Sequence, residues 1–299
     1  MAGASLFALL DDIATILDDV ALMTKKAASK TAGVLGDDLA LNAQQVSGVV
    51  AKRELPVVWS VAKGSFVNKL ILVPAALALN QFAPVLVTPM LMIGGAYLCY
   101  EGVEKLVHHF FHRSKKTVEQ ASEELEALKE GAVDEKGKVK GAIRTDFVLS
   151  AEIIVISLKV VKDEPFLTQA LVLSAIALFM TIGVYGLVAC IVKLDDLGLF
   201  LSQKSGVLQR VGRGILWFAP FLMKTLSIVG TIAMFLVGGQ ILVHGIPPVH
   251  HWIQHVSHDM GAVLESVVPI LFDGVFGVLA GAVVLAVVHP LMKLAGKGH

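Results

Sequence analysis

Long apolar stretches without a single charged side chain limit what this chain can fold into more than any other feature. Four such stretches occur, at residues 70–100, 165–192, 225–243 and 274–288. A helix needs roughly 20 apolar residues to cross the ~30 Å hydrocarbon core of a bilayer. Hydrophobic residues make up 55% of the chain and charged residues only 17%, which is unusual for a soluble domain. The sequence therefore predicts an all-α fold, a polytopic transmembrane helical bundle.

The stretch at 70–100 is too long for one comfortable crossing. Asn80, Gln81 and Pro84, near its middle, are residues typical of turns. We therefore predict a transmembrane hairpin over residues 65–111.

Lys and Arg in the connecting segments predict the orientation, because these residues concentrate in cytoplasmic loops. They are abundant at 112–146 and 193–213, and they are absent from 80–84 and 244–265. The first two segments are therefore predicted to be cytoplasmic and the last two external.

Segment 146–161 is apolar but carries Glu152 and Lys159, so hydropathy alone does not decide whether it crosses the membrane. The number of crossings between the two cytoplasmic segments decides it. An even number of crossings must separate two cytoplasmic segments, and 165–192 supplies one of them. Segment 146–161 is therefore predicted to cross as well. The result is about six spans, with both termini in the cytoplasm.

The predicted organisation has four parts. They are amphipathic cytoplasmic or interfacial helices at 1–64, the hairpin at 65–111, a charged cytoplasmic segment at 112–146, and a four-span transmembrane region at 147–299. The last part contains an amphipathic linker at 193–213 and a His-rich outer loop at 244–265.

Two short segments in the first half of the sequence are similar to two in the second half. Residues 17–22 (LDDVAL) are similar to residues 194–199 (LDDLGL), and Gly94-Gly95 is followed by a similar pattern to Gly238-Gly239. Duplicated halves are common in transporter folds. Matches this short also arise by chance in sequences rich in Gly and Leu, and both interpretations stay open.

Several short blocks together resemble one family, the YedI-like family of bacterial inner-membrane proteins. These blocks are MAGASL at 1–6, LDDIAT at 10–15, LDDV at 17–20, KTAGVLGDDLALNA at 30–43, GGAYL at 94–98 and EGVEK at 101–105. The resemblance runs the full length of the chain. It implies a multi-pass protein of the cytoplasmic membrane of Gram-negative bacteria. It implies no activity and no site residues, because the family's function is unassigned.

Charged residues within the predicted spans are the first candidate site. A charge at the centre of a bilayer costs at least ~2.5 kcal/mol, so it is usually paired or faces water. Our hypothesis is that Glu152 and Asp273 line one polar cavity, with Lys224 as counter-charge. The alternative is a structural ion pair together with side chains that snorkel to the interface. Lys69 and Lys159, near span ends, are expected to snorkel.

Acidic pairs in the N-terminal part are the second candidate site, and Asp18, Asp19, Asp37 and Asp38 belong to it. Carboxylates suit protons and hard cations. The alternative is a solvated helix face with capping residues. Anionic lipid would repel this face, so the helix is expected to dock against protein.

Histidines of the outer loop are the third candidate site. His251, His255 and His258 recur at helical spacing on one face, as ligands of a divalent transition metal can. The alternative is an ordinary polar loop at a membrane interface.

These features favour a transporter or channel for an ion or small solute that uses intramembrane carboxylates. The alternative is a non-transporting scaffold or assembly factor that acts through its cytoplasmic segments. No enzyme is expected, because metalloprotease, nucleophile-elbow, P-loop and Rossmann motifs are absent. Membrane lipids and the transported species are the expected partners, and a homo-oligomer is left open. A net charge of zero argues against nucleic acid.

Overall fold

The computed structural model describes residues 2–46, 53–112, 135–258 and 262–294. Within these ranges the chain forms nine α-helices and no strand, which confirms the predicted all-α class. The helices are α1 (Ala2–Val46), α2 (Glu54–Phe82), α3 (Val87–His112), α4 (Glu135–Val160), α5 (Phe166–Val192), α6 (Leu194–Ser202), α7 (Val207–Gly245), α8 (Pro247–His258) and α9 (Ala262–Leu294).

Five helices are long and apolar enough to cross a membrane. The candidate spans are Glu54–Phe82, Pro84–Val107, Phe166–Val192, Val207–Gly245 and Val267–Val288. A single 3₁₀ turn at Pro84–Leu86 joins the first two, at the position where the sequence predicts the turn of a hairpin. The remaining predicted crossing, at 146–161, lies in α4. That helix also contains Arg144, Asp146, Glu152 and Lys159, and these charged residues are too many for it to count as a candidate span by composition.

Two apolar clusters mark opposite ends of the bundle. One contains Ala27 of α1, Leu77 of α2, Leu158 of α4 and Leu173 of α5. The other contains Val46, Val58, Ala142 and Val188 of the same four helices. We call these levels the Ala27 end and the Val46 end.

Helices α1 and α4 therefore extend through the interior of the bundle, beside the spans α2 and α5. Residues 27–46 of α1 cover roughly 30 Å at 1.5 Å per residue, which is the thickness of a bilayer core. Both helices carry polar residues on faces buried by their neighbours. The surrounding apolar helices thus separate these polar faces from lipid.

Glycines allow α3, α7 and α9 to approach closely. Gly238 of α7 packs against Gly95 and Cys99 of α3, and Gly239 packs against the backbone of Asp273 in α9. Small residues of this kind let membrane helices pack backbone to backbone. One glycine from each of the two similar Gly-Gly pairs, Gly95 and Gly238, thus lies at the α3–α7 crossing, whereas Gly94 packs against α4 and Gly239 against α9.

The chain directions follow from these contacts. Gly245, at the end of α7, packs against Met92 near the start of α3. Because α3 follows the turn after Leu77, the end of α7 and the following helix α8 lie at the Ala27 end. The hairpin turn and the His-rich segment therefore share one end of the bundle.

Candidate functional site

A cluster of buried polar side chains lies between the two ends of the bundle. Helices α1, α2, α4 and α5 all contribute to it. Its members are Asp38, Asn42, Ser65, Asn68, Lys69, Asp146, Ser150 and Tyr185, each at most 8% exposed. We call it the polar cluster.

Asp146 of α4 is the centre of the polar cluster. Its Oδ1 lies 3.4 Å from Nζ of Lys69, and both side chains are almost fully buried. Ser65 donates to the same oxygen at 2.8 Å, and Asn68 donates to Oδ2 at 3.1 Å. Burying a charge is costly unless it is paired and hydrogen-bonded, and Asp146 meets both conditions.

Lys69 is the cation of this pair, so the prediction that it snorkels is wrong. Its ammonium group also donates to Ser65 Oγ at 2.6 Å and to Ser150 Oγ at 2.8 Å. The side chain turns inward because α4 offers it a carboxylate and hydroxyl groups at the same depth.

Asp38 of α1 is the second carboxyl group of the polar cluster. Asn42 donates to its Oδ1 at 2.7 Å. The hydroxyl of Tyr185 lies 2.9 Å from Asn42 Oδ1 and 2.9 Å from Asp146 Oδ1. The single hydroxyl hydrogen of Tyr185 can be donated to only one of these two oxygens at a time, so Tyr185 lies between Asn42 and Asp146 without completing a continuous chain of hydrogen bonds.

Glu152 of α4 is the third buried carboxyl group in this region, after Asp146 and Asp38. The side chain is 6% exposed, and its Oε2 has no hydrogen-bond partner among the described residues. Asp37 and Asp38 lie close enough to interact with it electrostatically, and so does the exposed Lys159. Glu152 thus lies on a helix that packs against α1, which carries Asp37 and Asp38, whereas the sequence assigned them to two separate sites.

The charges of this region do not balance. Among the described residues, the buried charged groups here are the carboxyl groups of Asp38, Asp146 and Glu152 and the single ammonium group of Lys69. An ionised carboxylate that is buried without a partner is strongly unfavourable. The surplus therefore makes this region suited to holding a proton or a cation.

A second polar network adjoins the cluster towards the Val46 end. Gln45 donates to Thr145 Oγ1 at 2.7 Å and to Glu101 Oε1 at 3.1 Å, and Thr145 donates to Glu101 Oε2 at 2.9 Å. Lys105 forms an ion pair with Glu101 at 3.1 Å. Gln45, Glu101 and Lys105 line a cleft of about 320 Å³, which we call the polar cleft. Gln45 and Glu101 both bond to Thr145, which directly precedes Asp146, so the polar cleft lies next to the polar cluster.

Asp273 lies elsewhere, in a cleft of about 630 Å³ formed by α7, α8 and α9. Helices α4 and α9 do not touch, and α3 packs against both. Lys224 is exposed on α7. The structure therefore does not bring Glu152 together with Asp273 or Lys224 in one cavity, because α3 separates the two carboxylates.

Asp18 and Asp19 are not part of the polar cluster either. Both are exposed on the section of α1 that precedes Ala27. Of the acidic pairs in α1, only Asp37 and Asp38 lie where α1 is enclosed by other helices.

His251 and His255 are exposed on α8 and border the cleft that contains Asp273. The ring centroids of His244 and His250 lie 4.3 Å apart. Partial burial lowers the pKa of His250, and His244 and His251 lower it further. In the part of the chain that the structure describes, no three His, Cys, Asp or Glu side chains are arranged to hold a metal ion. The His258 side chain lies outside that part, so the divalent-metal site stays a prediction.

Five helices of membrane-spanning length and composition around two polar helices define a membrane-type helical bundle. The family model described as protein of unknown function (DUF808) matches residues 4–287, and the chain therefore belongs to that family. Searches among curated proteins and among solved structures found no match. The sequence resemblance implied a family whose function is unassigned, and the matching family is one of unknown function. The resemblance to the YedI-like family stays an expectation.

Proposed function

We propose that the protein is a transporter or channel for protons or small cations in the bacterial cytoplasmic membrane. In this proposal the transported species binds at Asp38 of the polar cluster and at Glu152. One observation carries it, which is the excess of buried carboxyl groups over buried ammonium groups in this region.

The excess supports binding because the carboxyl groups differ in how they are satisfied. Asp146 has Lys69 and several donors, whereas Glu152 has an oxygen without a partner among the described residues. A proton or a cation on Asp38 and Glu152 would remove the cost of the uncompensated charge. Carboxylate and amide oxygens are also the ligands that hard cations prefer.

A polar path towards the Val46 end also supports transport. Asp38, Asn42 and Gln45 follow one another at spacings of four and three residues, so they share one face of α1. Gln45 lines the polar cleft. At the Ala27 end, by contrast, the buried side chains of Leu77, Leu158 and Leu173 close the bundle. Polar side chains on one side of the site and apolar closure on the other would suit one state of an alternating-access transporter.

The orientation that we propose makes the Val46 end cytoplasmic. The segment 112–146, rich in Lys and Arg, connects α3 to α4 at this end, and such segments favour the cytoplasm. Residues 11–26 of α1 precede Ala27, which supports an external position for them. This part of the proposal departs from the cytoplasmic N-terminal part expected from the sequence.

A non-transporting scaffold explains less of the structure. The Lys69–Asp146 pair alone would satisfy the needs of a rigid core, and a scaffold gives no reason for two further buried carboxyl groups.

The test is ion flux into vesicles that contain the purified full-length protein. We expect flux of H⁺, Na⁺ or K⁺ above that of empty vesicles. Glu152→Gln and Asp38→Asn should each reduce it by at least about tenfold, the effect of ~1.4 kcal/mol on a barrier. The control is Glu104→Gln, which neutralises an exposed carboxylate of α3 and should leave the flux unchanged.

Two results would contradict the proposal. One is flux indistinguishable from that of empty vesicles for all three ions and for Mg²⁺. The other is flux that stays at the wild-type level in both substituted proteins.

A further inference from the structure

Helix α6 and the first part of α7 form an antiparallel pair at the Val46 end of the bundle. Gly198 of α6 packs against Leu216 of α7, and Gly212 of α7 packs against the backbone of Ser202. Among the described elements, α6 touches α7 and the adjacent helix α5. We call α6 together with residues 207–221 of α7 the arm, because this pair stands apart from the rest of the bundle.

The arm extends beyond the length of α7 that a bilayer requires. Helix α7 has 39 residues. At 1.5 Å per residue it is about 58 Å long, whereas the hydrocarbon core of a bilayer is ~30 Å thick. Its last residue, Gly245, lies at the Ala27 end, and Met223 and Leu226 pack against the apolar cluster of the Val46 end. Residues 207–221 therefore lie beyond that cluster, over roughly 22 Å of helix.

The arm exposes many large apolar side chains. Trp217 is 80% and Phe221 63% exposed. The other exposed apolar residues of the arm are Leu197, Leu199, Phe200, Val207, Leu208, Val211 and Phe218. A concentrated apolar surface of this kind marks a contact with a membrane or with another protein.

On α7 these side chains continue the face that lipid covers within the membrane. Eight positions recur at spacings of four and three residues and therefore share one face, which we call the stripe. They are Val207, Val211, Gly214, Phe218, Phe221, Thr225, Ile228 and Ile232. Ile228 and Ile232 are exposed in the section that a bilayer encloses, so lipid is what faces them there.

Pro220 lies between the arm and the enclosed section of α7. A proline inside a helix removes one backbone hydrogen bond and allows the helix to bend. The stripe can therefore stay on lipid after α7 leaves the hydrocarbon core.

Cations lie beside the stripe. Arg210 and Arg213 are exposed on α7, and Lys204 is exposed in the turn between the two helices of the arm. None of the three forms an ion pair with a residue that the structure describes. The acidic residues of the arm lie at its opposite end, where Nζ of Lys193 is 2.6 Å from Oδ2 of Asp196: Asp195 and Asp196. The arm thus carries positive charge that its own acidic residues do not neutralise.

We propose that the arm binds the anionic surface of the bilayer in which the protein is inserted, on the Val46 side. Trp217, Phe218 and Phe221 lie at the boundary between head groups and acyl chains, and Arg210 and Arg213 contact lipid phosphates. Helices that lie on membranes combine aromatic residues with Lys and Arg in this way. A second copy of the chain fits less well, because two arms that met by this face would bring their arginines together. The proposal rests on the membrane location and not on transport, so an absence of flux leaves it intact.

The test measures the surroundings of a spin label attached to Gly214→Cys in the full-length protein with Cys190→Ser, whose one remaining native cysteine is the buried Cys99. Gly214 lies in the stripe, and a Cβ there meets no described atom within 4 Å, so the label removes no apolar side chain and displaces none. The protein is placed in nanodiscs of phosphatidylglycerol, which leave both membrane surfaces open to solution. Oxygen concentrates in lipid and a nickel chelate stays in water, so the relaxation of the label by each reagent reports its depth.

We expect the label at Gly214 to be relaxed by oxygen and protected from the nickel chelate. Gln209→Cys is the matched control, because Gln209 is exposed on the same section of α7 but lies on the face opposite the stripe, and its label should be relaxed by the nickel chelate. Arg210→Gln and Arg213→Gln should each shift the arm towards water by roughly fivefold. Lys140→Gln, which removes an exposed cation of α4, should leave the label at Gly214 protected.

Three results would overturn the proposal. Relaxation at Gly214 by the nickel chelate and not by oxygen would mean that the arm extends into water. Protection from both reagents would mean that protein covers the stripe, as a second copy would do. Equal protection in phosphatidylcholine and phosphatidylglycerol, unchanged in the Arg210 and Arg213 variants, would mean that the arm does not recognise anionic lipid.

Discussion

Lys69 and Asp146 show what a charge needs in order to persist inside this bundle. Each is almost fully buried, and each has hydrogen-bond partners from a second helix in addition to its ionic partner. The sequence identified Lys69 as an intramembrane charge but gave it no partner. Helical periodicity predicts which face a residue occupies, and it does not predict which other helix that face meets. Asn42 and Tyr185 carry no signal in a single sequence at all.

Removing one member of this pair should be strongly destabilising. Lys69→Met leaves the buried Asp146 without its ammonium group, and breaking a buried pair in this way costs about 3–5 kcal/mol. The measurement is denaturation of the purified protein in detergent. Lys63→Met is the control, because Lys63 is an exposed lysine on the same helix, and such changes usually stay within about 0.5 kcal/mol.

The double variant Lys69→Met/Asp146→Asn should recover part of the loss, since both charges are then absent. If Lys69→Met and Lys63→Met have the same stability, the ion pair does not contribute as argued.

At the scale of helices, the apolar spans were predictable and the polar helices were less so. The uncharged stretch at 165–192 and the turn residues at 80–84 are local signals, and the structure has α5 at the first position and a 3₁₀ turn beginning at Pro84 at the second. Helix α1 gives no such signal, because Asp37, Asp38 and other polar residues interrupt its apolar stripe. Its burial depends on partners from α4, α5 and α7, which a local pattern does not contain.

Gly239 provides a test of the close packing between α7 and α9. A Cβ at this position would collide with the carbonyl oxygen of Asp273, which belongs to the backbone and cannot easily move. Gly239→Ala should therefore destabilise the protein by about 1–3 kcal/mol, the usual cost of overpacking. Thermal unfolding in detergent measures the change.

Gly183→Ala on α5 is the comparison, because a Cβ there meets no atom within 4 Å. That substitution should be neutral or stabilise by up to about 1 kcal/mol. Equal effects at the two positions would mean that α7 and α9 are not packed as closely as described.

At the scale of the whole molecule, the bundle has a polar interior and two different ends. The loop charges predicted that the hairpin turn and the His-rich segment share a side, and both lie at the Ala27 end. The same charges did not reveal that α1 extends through the bundle. Residues 1–64 contain no long apolar stretch that is free of charged residues. A count of membrane crossings from hydropathy therefore omits α1.

The course of α1 predicts the side on which its first part is accessible. In a protein with Cys190→Ser, whose one remaining native cysteine is the buried Cys99, a cysteine placed at Asp18 or at Gln254 should react with a membrane-impermeant maleimide from the same side in both cases. A cysteine in place of Lys136 should react from the opposite side, because Lys136 is exposed near the start of α4 at the Val46 end. Labelling of intact cells and of inverted vesicles distinguishes the two sides.

The expectation from loop charges alone is different, since it assigns Asp18 and Lys136 to the same compartment. Labelling of these two positions from one side would therefore contradict the proposed path of α1.

The hydrogen bonds around Asp146 restrict how the helices can move. Ser65 and Lys69 attach α2 to α4, and Tyr185 attaches α5 to the same carboxylate, at a level between the two apolar clusters. Helices α2, α4 and α5 therefore cannot separate at this level without breaking these bonds. If the proposed transport requires Leu77, Leu158 and Leu173 to separate at one end, the three helices can do so by tilting about the level of Asp146, which would move their opposite ends closer together.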